Sequence, residues 1–176
     1  MDWQVGDIIS IGEAKKYDVI AFTANSYVTA DFRLVMGAGA AKRVLRHYPG
    51  IDAEFGTRIR VGELGFEDGL IYPPHGVQKD YLVAGVPRAG IIIAAVQVKQ
   101  HFRDHTEPEA KDLCWELTVK SLAKLRRWCE RHPDKRVVMN CPLIGFGGYG
   151  DQEERVRIMT IEALRGTSVT ICTLPN

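Results

Sequence analysis

Disulfide-forming cysteines, long apolar runs and charge imbalance are all scarce in this chain of 176 residues. Each scarcity closes off a class of proteins. The four cysteines, Cys114, Cys129, Cys141 and Cys172, form no C-x-x-C pair and fit no zinc spacing, so no metal is expected. They read as reduced, half-buried thiols that act as small apolar residues. The longest apolar run, Gly90 to Val98, falls well short of the roughly 20 residues that a membrane helix needs. Lys and Arg number 23 against 22 Asp and Glu, a formal charge of +1, which leaves no electrostatic footprint for duplex nucleic acid. The basic cluster "KLRRW" at 124–128 is most simply the wet face of a helix. The start "MDWQVGDIIS" lacks the basic head and apolar centre of a secretory leader. A cytoplasmic protein with no membrane association is expected.

What the chain does have is a globular balance, 45% hydrophobic and 26% charged, long enough to bury a core without staples. No repeat or linker-like stretch divides it, so residues 1–176 read as one domain. Asp18 to Ala24 reads as a buried strand, and Ala38 to Tyr48 as a helix stopped by Pro49-Gly50. Between Gly56 and His75, "RIRVGEL" and "GLIYPP" look like short β runs. "YLVAGVP" and "GIIIAAVQV" are two more apolar strands joined by a Pro-Arg-Ala-Gly turn signal. Glu109 to Arg131 is the clearest helix, with Cys114, Leu117, Ser121, Leu125, Trp128 and Cys129 on one stripe. "RVVMN" (136–140) is a strand, Gln152 to Leu164 a helix and "SVTICTL" a last strand. Alternating strands and helices give an α/β fold, a layered mixed sheet with helices on both faces.

Two glycine-rich loops carry the functional signal. "MGAGAA" (36–41) and "CPLIGFGGYG" (141–150) both follow an apolar strand and both lead into a helix. In open α/β sheets such loops cluster beyond the carboxyl ends of strands, where ligands bind. Their glycines let backbone N–H groups converge on an anion, and a helix N-terminus adds favourable potential. Two of them together could wrap a diphosphate. The first is not a known nucleotide fingerprint: the P-loop spacing is missing, with Arg43 where its hydroxyl should be, and Lys42 replaces the last glycine of G-x-G-x-x-G.

In this pattern and order the chain resembles the macrodomains, modules that bind ADP-ribose. "Gly6-Asp7-Ile8-Ile9" resembles their early Gly-Asp-Ile motif, "Thr23-Ala24-Asn25" their ribose-facing strand end, and the two loops their phosphate loops. The resemblance implies a three-layer α-β-α macrodomain with a central mixed, mostly parallel sheet. It implies adenine recognition by Asp7 and Ile8, and a ribose contact from Asn25. Phosphates would meet Met36, Gly37, Ala38, Gly39 and Ala40 in the first loop. In the second they would meet Ile144, Gly145, Phe146, Gly147 and Gly148; Phe146 and Tyr149 are close enough to contact the distal ribose, with packing an equal alternative for both. The backbone serves the phosphates, so no cofactor or metal is implied.

"Val35-Met36-Gly37-Ala38-Gly39-Ala40-Ala41" resembles the branch that cleaves ADP-ribose from glutamate, and the related antitoxin macrodomains that remove it from DNA bases. These share a lysine at the end of a central strand, and "AVQVKQHFR" (95–103) resembles the DNA-type segment. Lys99 and Asn25 are therefore the candidate catalytic residues. A lysine amine can attack an anomeric carbon once its pKa is lowered, or assist a leaving group while protonated. The glutamate-type enzymes carry an aspartate where Tyr149 stands here, and Asp151 lies two residues beyond. His101 and His105 are further proton carriers by residue type, with a surface role the plainer reading. Implied partners are ADP-ribose, free or attached to DNA or protein. Hydrolysis of that attachment, non-catalytic reading of it, and phosphatase action on ADP-ribose 1''-phosphate all stay open.

Overall fold

The structure, a computed structural model, describes residues 1–61, 75–145 and 148–174. A central six-stranded sheet has the order β1-β8-β7-β2-β6-β5. Its strands are β1 (Asp2–Val5), β2 (Val19–Ala24), β5 (Val83–Arg88), β6 (Ile91–Gln97), β7 (Val137–Asn140) and β8 (Val169–Thr173). All neighbours pair in parallel except β5, which runs antiparallel to β6 at the edge. Two short strands, β3 (Tyr27–Val28) and β4 (Gly76–Val77), pair separately.

A strand's side chains alternate between faces, and here both faces are apolar. From β2, Ile20, Phe22 and Ala24 pack with α1 (Ile8–Ala14), α2 (Gly39–His47) and α3 (Ile51–Val61). Val19 and Ala21 pack instead with α4 (Lys111–Arg131) and α5 (Glu153–Leu164). The result is three layers, helix on sheet on helix, as parallel strands require when both their faces are covered. The expected helices at 38–48, 109–131 and 152–164 match α2, α4 and α5 within a residue or two. The stripe on α4 is buried at Cys114, Leu117, Ser121, Leu125 and Cys129, while Trp128 is half-buried. All four cysteines are free and fully buried.

Two readings need correction. Residues 58–61 of "RIRVGEL" are not a strand but the last turn of α3. Pro49-Gly50 interrupts the helical path only briefly, because Ile51, Phe55 and Ile59 recur every four residues and bury one face. The rest of that run and "GLIYPP" lie outside the described residues. The Pro-Arg-Ala-Gly signal is a two-residue hairpin between β5 and β6, with Ala89 at φ 47° and Gly90 at φ 85°. Positive φ at both central positions matches the twist of the flanking strands. Among the described residues no helix is long and apolar enough to cross a membrane.

Candidate functional site

The carboxyl ends of the parallel strands open into a cavity of about 700 Å³, a size suited to a small organic ligand. The opening begins where β2 and β7 part. Their ladder pairing ends at Ala21 with Met139, and a side-chain clasp holds the strands beyond it. Asn140 Oδ1 accepts from the Thr23 amide at 2.9 Å, and Asn140 Nδ2 donates to Thr23 Oγ1 at 3.0 Å.

At one end of the cavity Asp7 caps α1. Its Oδ1 accepts the amides of Ile9 (3.0 Å) and Ser10 (3.1 Å), the usual work of an N-cap carboxylate. Its Oδ2 accepts from Arg43 Nη1 at 3.2 Å. Gly6 reaches this point with φ 146° and an amide bonded to the Thr173 carbonyl at 2.8 Å. The half-exposed pair Asp7–Arg43 thus ties the end of β1 to α2 across the cavity mouth.

Asn25 follows β2 and is buried. Nδ2 donates to the Val35 carbonyl at 2.9 Å and Oδ1 accepts the Tyr27 amide at 2.8 Å. An amide group has one further donor and one further lone pair, so capacity remains on the cavity side. The Asn25 carbonyl in turn accepts from Tyr81 Oη at 2.8 Å.

The first glycine loop enters α2 through Ala38, whose backbone is extended, and Gly39 at φ 56°. No side chain caps α2. Gly37, Ala38, Gly39, Ala40 and Ala41 all line the cavity, so the helix presents first-turn amides to it, an anion-binding arrangement. In the second loop Leu143 and Gly145 take φ values of 61° and 65°, and Ile144 and Gly145 line the same cavity.

Lys99, two residues past β6, lines the cavity beside Phe102, Arg103 and His105. Burial pushes its pKa below the ordinary lysine value, opposed by the neighbouring Cys114 and Asp104. Its Nζ lies 3.3 Å from His105 Nδ1.

The structure therefore brings Asp7, Ile8, Asn25, Lys99, residues 37–40, Ile144 and Gly145 around one space. Three other candidates sit elsewhere. The Met36 side chain is buried in the core under α2. Tyr149 turns inward, where its hydroxyl donates to the Lys111 carbonyl at 2.7 Å and its ring packs 5.4 Å from Trp115. It anchors α4 rather than facing the cavity. Gly148 packs against the backbone of His105. Phe146 and Gly147 lie outside the described residues. Asp151 is exposed on a shallow depression with Trp115, whereas Glu153 lines both that depression and the cavity.

Glu153, Thr173 and Leu174 also line the space without having drawn notice in the sequence, as does Arg43, which drew notice only for standing where a P-loop hydroxyl would. Only the Asp7–Arg43 distance shows why Arg43 belongs there. Among the described residues no cluster of His, Cys, Asp and Glu could hold a metal ion.

No family model matches the chain, and no curated protein matches it in sequence. Solved structures do match. The macrodomain of Thermus aquaticus DarG superposes with a TM-score of 0.61 at 17% identity, covering 99% of this chain and 97% of that one. The macrodomain of Mycobacterium tuberculosis DarG gives the same values. Thermosipho africanus DarTG, solved in complex with ADP-ribose, matches at TM-score 0.61 and 14% identity, over 99% of this chain and 42% of that one. With helices on both faces of a mostly parallel sheet and a cavity at the strand ends, this chain has the macrodomain fold.

Proposed function

We propose that the chain binds ADP-ribose in this cavity and hydrolyses it from a modified macromolecule, a nucleic-acid base or a protein side chain. The observation that carries the reading is the convergence of Lys99 and Asn25 with the uncapped first turn of α2 in one space. Asp7 and Ile8 stand at the end suited to adenine, and the amides of residues 37–40 suit the diphosphate, with Ile144 and Gly145 lining the same cavity. That leaves Asn25 and Lys99 for the distal ribose. The depressed Lys99 pKa enlarges the neutral fraction of its amine, the form that attacks an anomeric carbon. In that step the Nζ–C1'' bond forms as the bond to the leaving base or side chain breaks, and water later releases the sugar.

Calorimetric titration with ADP-ribose, using ATP and NAD as controls, tests the binding. Selective one-to-one binding is expected, and no heat from a folded sample would sink the reading. Turnover is then measured on an ADP-ribosylated DNA oligonucleotide and a glutamate-ADP-ribosylated protein. Lys99→Ala should abolish release while keeping most of the ADP-ribose affinity. A pure reader would bind the same ligand and release nothing, with or without Lys99.

A further inference from the structure

Past β6 the chain makes a tight turn, Asp104–Thr106, and His105 in it lines the cavity beside Lys99. The turn is held from both sides. The Asp104 carboxylate accepts the amides of Gln100 (3.1 Å) and His101 (2.8 Å). From the second loop, Gly148 approaches so closely that a Cβ there would lie 2.8 Å from the His105 carbonyl oxygen. His105 is thus fixed where two loops meet. His101, the other histidine of the segment, is engaged differently, stacked on Phe102 at 4.3 Å and edge-on to Tyr27 at 4.9 Å.

One ring nitrogen of His105 has two partners of opposite kind. Nδ1 lies 3.3 Å from Lys99 Nζ and 3.2 Å from the Phe102 carbonyl oxygen. An ammonium can only donate and a carbonyl can only accept. A bare Nδ1 therefore satisfies Lys99, and a protonated Nδ1 satisfies Phe102.

We propose that His105 is the proton partner of Lys99, a positioning residue whose Nδ1 takes up the proton that Lys99 releases. The proposal deepens the functional reading above and rests on it. When the proton crosses, an N–H bond breaks at Nζ and one forms at Nδ1, and the charge of the pair is unchanged. Lys99 becomes a neutral amine with its lone pair available. The new Nδ1–H is received by the Phe102 carbonyl, which stabilises the transferred state. Burial lowers the basicity of both groups, and the charge of Lys99 lowers that of His105 further, so holding both protons at once is disfavoured. Charged or titratable groups near the pair include Asp104 and Arg103 on the same segment and Cys114 from α4, and the cavity lining adds Asp7, Arg43, Cys141, Glu153 and Cys172. Tyr149, on the second loop, is close enough to Cys114 to feel its charge.

The test is a titration of ¹⁵N-labelled protein without ligand, following the Lys99 Nζ and His105 ring nitrogens by NMR from acid to alkaline pH. The Lys99 curve is expected to show two coupled inflections, with neutral His105 in the Nε2–H tautomer while Lys99 is charged. His105→Asn and His105→Ala should each remove from the Lys99 curve the inflection that coincides with the His105 titration. A Lys99 curve identical in wild type and H105N would overturn the proposal, as would an Nδ1–H tautomer at every pH. Loss of ADP-ribose binding in calorimetry would instead sink the functional reading, and a ligand-free titration is unaffected by that result.

Discussion

Gly56 lies inside α3, where helix propensity alone favours its replacement by alanine by about 1 kcal/mol. The packing argues the other way. A Cβ on Gly56 would overlap the carbonyl oxygen of Phe32, lying 2.6 Å from its carbonyl carbon and 3.0 Å from the Arg33 Cα. These are backbone atoms, so no side-chain rotation relieves the contact. Phe32 already sits at φ 64°, and its neighbours are tied to the same helix. The Leu34 amide donates to the Asp52 carbonyl at 3.0 Å, and Arg33 Nη1 meets both Asp52 carboxylate oxygens at 3.1 Å.

Overpacking of this kind costs about 3 kcal/mol. Set against the propensity gain, Gly56→Ala is expected to destabilise the protein by about 2 kcal/mol. In a domain of this size that lowers Tm by about 4–8 °C. The displaced segment leads directly into the first glycine loop, so ADP-ribose affinity should fall as well. Thermal and urea unfolding of the two proteins, with calorimetry on each, measure both effects. An unchanged or raised Tm would refute the reasoning, because helix propensity would then outweigh the backbone contact.

Other outcomes follow from the same geometry. Tyr81→Phe removes the donor to the Asn25 carbonyl and should cost about 1–2 kcal/mol in urea unfolding, with weaker ADP-ribose binding as Asn25 loses its tether. The folded pKa of Lys99 lies below the ordinary lysine value of 10.5, so between that lowered value and 10.5 the unfolded chain binds more protons. Stability should therefore rise with pH across that window, and Lys99→Met should flatten the rise in unfolding curves. Burial lifts the thiol pKa to about 11 at Cys114, Cys129 and Cys172 and to about 12 at Cys141. A thiol reagent should accordingly label none of them in the native protein near neutral pH, and all four in guanidinium. Rapid native labelling would show that these positions open.

The sheet and the long helices were legible because periodicity reports burial directly: the α4 stripe and the apolar runs of β2 and β6 each have one reading. Helix α3 was not, because Ile59 and Val61 flanked by arginines alternate like a strand over four residues. Only the wider spacing of Ile51, Phe55 and Ile59 betrays the helix. The glycine loops announced themselves by composition, and residues 37–40 do line the cavity. Composition could not show which aromatic faces outward. Tyr149 stands in a glycine loop but is drawn inward by a carbonyl of α4, a partner 38 residues away. Arg43 and His105 matter through contacts made in space, with Asp7 across 36 residues and with Lys99 around a tight turn.

The partner of β1 is β8, the last strand of the sheet in chain order. Asp7 and the start of α1 hang on that pairing, and the Gly6 amide is received by Thr173. Closing so long a loop is entropically the slowest kind of contact to make, whereas the β5–β6 hairpin closes over two residues. The β1–β8 pairing, on which Asp7 depends, is therefore expected to form after the β5–β6 hairpin that leads to Lys99. In the finished protein the same asymmetry makes β1 the strand whose amides should exchange with solvent first.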